Sequence, residues 1–205
     1  MPEDSLKWED EKIVKALSKE NEVALRVAGA IYELEQPFTA LILIEAKDYA
    51  KAKSDILEKY GKENQTIYIT LNSGFEKIKH DFDKSGKAYG NIHFIDMVSI
   101  EAGEKQIEAP NVSYVNSPSD LTDAILLVEK KLSATGENGK VLVILDSIST
   151  MLIYNNATVV EKFCHTLLGK INSYAASAIV FSSDYNEKDS ITSTIGQFFD
   201  KTVKI

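Results

Sequence analysis

The chain has 205 residues, 44% of them hydrophobic and 26% charged, enough to bury a core as one domain and too apolar for a disordered chain. Lys and Arg number 23 against 31 Asp and Glu, a formal net charge of -8, which disfavours phosphate backbones and anionic lipid surfaces as partners. Cys164 is the single cysteine, which excludes a disulfide scaffold and suits a reducing compartment.

The opening residues are acidic, with no apolar core of signal-peptide length. The apolar runs, such as Val141 to Leu145, are strand-length. The expectation is a cytoplasmic protein without a membrane segment. Residues 1–36 are expected to form a helical extension. Leu17, Ala24, Ala28 and Ile31 recur at helical spacing with Val27 and Leu34 beside them, and Pro37 ends the run. Being amphipathic and appended, the extension either covers an edge or face of its own sheet or contacts another chain. Trp8 within it is a hydrophobic staple or an anchor for a partner.

Residues 37–205 read as one domain in which apolar strands alternate with amphipathic helices. A strand over Phe38–Ile44 leads to a helix from Asp48 to Tyr60, closed by Gly61. A strand over Thr66–Leu71 precedes a helix from Phe75 to about Lys84, then come strands Asn91–Asp96 and Val112–Val115. A helix runs from Asp120 to Leu132 with Ser117 or Ser119 as its cap, and the strand Lys140–Asp146 follows a Gly-Glu-Asn-Gly turn. The rest reads as a helix from about Thr158 to Tyr174, a strand over Ala178–Phe181, a helix near Ile191 to Phe199 and a short edge strand, Thr202–Ile205. Runs such as Leu41–Ile44 and Val141–Leu145 suit strands buried on both faces, so the class is a three-layer α/β/α domain with a mostly parallel central sheet.

In such a sheet, ligands bind beyond the carboxyl ends of the strands. The residues at those ends are Glu45, Asn72, Ser73, Asp96, Asp146 and Ser147. Glu45, Asp96 and Asp146 either crowd one crevice, which demands a cation or a proton, or each caps a following turn through backbone N–H groups. Asp146 follows a run of apolar residues, the shape of a Walker-B strand whose carboxylate holds Mg²⁺.

The segment Leu145-Asp-Ser-Ile-Ser-Thr-Met-Leu-Ile-Tyr154 resembles the Walker-B region of RecA-superfamily ATPases, in their archaeal KaiC-like branch. Ile67–Leu71, Ile92–Ser99 and Val115–Thr122 are similar to that branch's second strand, third strand and pre-Walker-B loop, in the same order. The resemblance implies a RecA-like, P-loop NTPase-like domain that assembles with copies of itself or with a protein partner. Such an ATPase carries G-x-x-x-x-G-K-[ST] directly after its first strand. This chain reads Ala46-Lys-Asp-Tyr-Ala-Lys-Ala-Lys53 there, with Ala46 and Lys51 at the glycines, Ala52 at the lysine and Lys53 at the hydroxyl residue. KaiC-like enzymes also place a pair of glutamates after the second strand, where this chain has Asn72 and Ser73.

The expectation is a degenerate, non-catalytic member with no cofactor, serving as an interaction or regulatory module. The alternative is a nucleotide sensor or weak ATPase that binds Mg-ATP through Lys47, Lys51, Lys53, Asp146 and Ser147, with Asp146 as the metal ligand. Lys51 and Asp55, and Asp55 and Lys59, are also spaced as ordinary helix-surface ion pairs. No G-x-S-x-G elbow supports a serine hydrolase. Cys164 and His165, adjacent on a helix, point about 100° apart and make a poor dyad. No His and Cys spacing suggests zinc, and Cys164 and His93 read as core and half-buried strand residues. Single-stranded nucleic acid is disfavoured by charge and by the lack of a basic, aromatic groove.

Overall fold

The computed structural model describes residue 29 and residues 35–86, 89–135, 140–183 and 191–205. Trp8 and nearly all of the expected N-terminal extension lie outside them. Among the described residues, seven strands form one parallel sheet: β1 (Thr39–Leu43), β2 (Gln65–Thr70), β3 (Ile92–Asp96), β4 (Val112–Tyr114), β5 (Val141–Asp146), β6 (Ser177–Ser182) and β7 (Lys201–Lys204), in the order β4-β3-β2-β5-β6-β1-β7. Helices α1 (Ala46–Glu63) and α2 (Phe75–Ser85) cover one face. The other carries α3 (Leu121–Thr135), α4 (Ile148–Tyr154), α5 (Ala157–Ser173) and α6 (Ile191–Gly196). No described helix is long and apolar enough to cross a membrane.

Strand periodicity divides the core in two. Along β5, Val141, Val143 and Leu145 face the α3–α6 layer, whereas Leu142 and Ile144 face α1 and α2. Asp146, two residues beyond Ile144, therefore emerges on the α1 side. In register, Thr70 stands beside both Asp96 and Asp146, so three strand tips end level. From β2 the chain turns towards β3 and from β5 towards β6, which leaves a topological switch point, and hence a crevice, between the ends of β2 and β5.

Local details differ from the sequence reading. Gly61 does not close α1, which runs on to Glu63; a Cβ there would lie 3.1 Å from Ile92 Cδ1, so the glycine lets the helix approach β3. The helix α4, too short to show periodicity, starts directly after β5 with Ser147 as its cap, whose hydroxyl accepts from Thr150 N. The last helix ends at Gly196, short of Phe199. Among the described residues no ion pair joins Lys51 to Asp55, and Asp55 Oδ2 is buried without a partner.

Candidate site at the tip of strand β5

Asp146 is fully buried, and among the described residues four side chains donate to it. Tyr49 and Lys53 stand one turn apart on α1, so both face β5. The Tyr49 hydroxyl donates to Oδ1 and the Lys53 ammonium to Oδ2 at 3.1 Å. Tyr68, on the same sheet face as Asp146, donates its hydroxyl to Oδ2, and Asn72 Nδ2 donates to Oδ1 at 2.5 Å. Thr150 Oγ1 in turn donates to the Asn72 side-chain oxygen Oδ1 and lies 3.1 Å from the Ser147 hydroxyl. Burial and then the Asp146 charge raise the pKa of both tyrosines, which keeps them as protonated donors.

A carboxylate offers about four lone-pair positions. Two phenols, an amide and an ammonium take them, so the acceptor sites that a divalent cation would use are occupied from within. The stretch aligned with the phosphate loop is not a loop. Only Ile44 and Glu45 separate β1 from α1, so residues 46–53 form the first two turns of a helix. Tyr49 fills the space beside Asp146 and packs edge-on against Phe181 at 5.7 Å.

The other sequence candidates separate. Lys47 turns back to the exposed Glu45 carboxylate, and Lys51 stays outside the cleft beside Asp146. That cleft, about 280 Å³, is lined by Lys53, Tyr49, Asn72, Ser147 and Thr150 among others. Glu45, Asp96 and Asp146 do not share a crevice. Asp96 accepts from Phe75 N at 2.6 Å, from Val98 N and Ser99 N at 3.0 Å each, and from Ser99 Oγ at 2.7 Å, capping α2 and the turn after β3. Among the described residues no group of three or more His, Cys, Asp or Glu is placed to hold a metal. Cys164 is buried and its thiol is pushed up to about 12, chiefly by burial; His93 bonds Ser113 Oγ at 3.0 Å.

Tyr68 was not legible as part of this site, because a tyrosine in Thr-Ile-Tyr-Ile-Thr reads simply as a strand former. The spacing of Tyr49 and Lys53 was the available signal for their common face.

A parallel sheet flanked by helices on both faces defines a three-layer α/β fold, and a solved KaiC-like protein shares it. The chain belongs to the family of unknown function DUF7090, whose model matches residues 76–205. Among solved structures it is similar to the KaiC-like protein PH0186 of Pyrococcus horikoshii OT3, with a TM-score of 0.56 and 11% identity over 79% of this chain and 69% of that one. It is also similar to the uncharacterized protein PH0321 of Pyrococcus horikoshii, solved with an unknown peptide, with a TM-score of 0.66 and 12% identity over 87% of this chain and 81% of that one. At these identities the likeness is one of fold. No curated protein matches.

Proposed function

We propose that this chain is a non-catalytic RecA/KaiC-like domain, a pseudo-ATPase that serves as an interaction or regulatory module through self-association or a protein partner. The observation that carries this reading is the saturated Asp146 carboxylate, with the Lys53 ammonium held where a phosphoryl-transfer site would hold Mg²⁺. The two-residue join between β1 and α1 supports it too, since positioning and electrostatic stabilisation are most of what such a site supplies. The peptide held by PH0321 supports a protein-facing use of this scaffold.

The cleft beside Lys53 and Ser147 favours one second reading, a nucleotide sensor or weak ATPase. Phosphate release from Mg·ATP separates the two. The non-catalytic reading expects no turnover above buffer, and turnover abolished by Asp146→Ala would overturn it. Light scattering of the full chain and of a chain lacking residues 1–35 tests assembly. Loss of an oligomer on deletion assigns the contact to the extension, and an unchanged, folded oligomer removes it.

A further inference from the structure

On the same sheet face, α1 and α2 flank a second cavity of about 310 Å³. Its floor is apolar, made by Leu57 of α1 with Ile78 and Phe82 of α2. Lys53 and Tyr68, the donors to Asp146 Oδ2, form part of its wall. Along α2, Lys77 and Asp81 follow one another at helical spacing and line the cavity beside this floor. Both are exposed, and neither is in an ion pair among the described residues. The contrast lies two residues away. Lys79 and Asp83, with identical spacing but outside the cavity, pair at 3.0 Å. The cavity thus presents one unpaired charge of each sign above an apolar floor.

The geometry points to a binding site for a small zwitterion with an apolar tail, of the α-amino-acid class. Asp81 receives its ammonium, Lys77 its carboxylate, and Leu57, Ile78 and Phe82 its side chain. A simple organic anion would face Asp81 unmatched, and a simple cation would face Lys77, so one ligand carrying both charges answers both. The volume lies at the lower end of the roughly 300–1,000 Å³ of small-molecule sites, which suits an amino acid better than a nucleotide. An occupant would rest against α1, the helix that carries Tyr49 and Lys53, giving the domain a small-molecule input. This site stands whether or not the tip of β5 turns over ATP.

Calorimetric titration and thermal shift of the full chain with L-leucine, L-methionine and L-phenylalanine test it, with isoamylamine and 4-methylpentanoate as the analogues of leucine lacking one charge. At least one amino acid is expected to bind with a Kd of about 1 mM or tighter. The exposed-site variants Lys77→Ala and Asp81→Asn should each weaken it at least about tenfold by leaving one charge of the ligand unpaired, whereas Lys79→Ala should leave it unchanged. No heat and no melting shift with any of the three at about 10 mM, well above that Kd, would overturn the proposal. Binding undiminished by Lys77→Ala and Asp81→Asn would overturn the location, and equal binding of the amine or the acid would overturn the zwitterion assignment.

Discussion

Replacing Lys53 with methionine keeps most of the aliphatic stem and removes the charge that faces Asp146. The Asp146 side chain is wholly buried and that of Lys53 is 19% exposed, so water can reach the ammonium only in part. Removing one partner of a buried pair typically costs about 3–5 kcal/mol, because the other charge is left uncompensated. Here Tyr49, Tyr68 and Asn72 still donate to the carboxylate, which lowers the expected loss to about 2–3 kcal/mol. For a chain of this size that is a fall in Tm of about 4–12 °C. Urea unfolding of the wild type, Lys53→Met, Asp146→Asn and the double variant completes a double-mutant cycle. A coupling of about 1–3 kcal/mol is expected, since the double variant leaves no buried charge unpaired. A single-variant loss below about 0.5 kcal/mol, the usual scale of surface changes, would refute the view that Lys53 is the counter-ion of Asp146.

Three further outcomes follow from the same structure. In Gly74→Ala a new Cβ would overlap Ser99 Oγ and stand 2.7 Å from Glu104 Oε2, so urea unfolding should show a loss of about 1–3 kcal/mol, reduced in a Ser99→Ala background. His93 is held down at about 4, by burial and then by Lys131, so its folded pKa lies below the unfolded value of 6.5. The unfolded state then binds the proton more readily. The His93 contribution is full above pH 6.5 and is lost as pH falls towards 4, by about 1–2 kcal/mol after allowance for its partial exposure, and His93→Gln should flatten that part of the pH–stability curve. Cys164, buried with its thiol at about 12, should react with an aromatic disulfide reagent at mildly alkaline pH far more slowly in the native protein than in concentrated urea. Equal rates would place it at the surface.

Much of the fold was legible because strands buried on both faces leave continuous apolar runs, and β5 is entirely buried from Val141 to Asp146. Element ends were harder. Gly61 reads as a helix stop, yet it serves close packing against Ile92, a contact between residues 31 apart that no local rule contains. Asp146 stood out from its place after an apolar run, and the missing phosphate loop was visible in Ala46–Lys53. What fills that place was not, because Tyr49 and Lys53 reach Asp146 across 97 and 93 residues of chain. Asp96 reads as a possible partner of Asp146 from its strand-end position. Only the placement of Phe75 N and Ser99 commits it to capping instead.

The most direct measurement of the central claim is calorimetric titration of the full chain with ATP and ADP, with and without Mg²⁺. If Tyr49 and Lys53 fill the place of phosphate and cation, millimolar nucleotide gives no heat and no thermal shift in either case. Micromolar, Mg²⁺-dependent binding that disappears in Asp146→Ala would contradict it, and would make the tip of β5 a working nucleotide site.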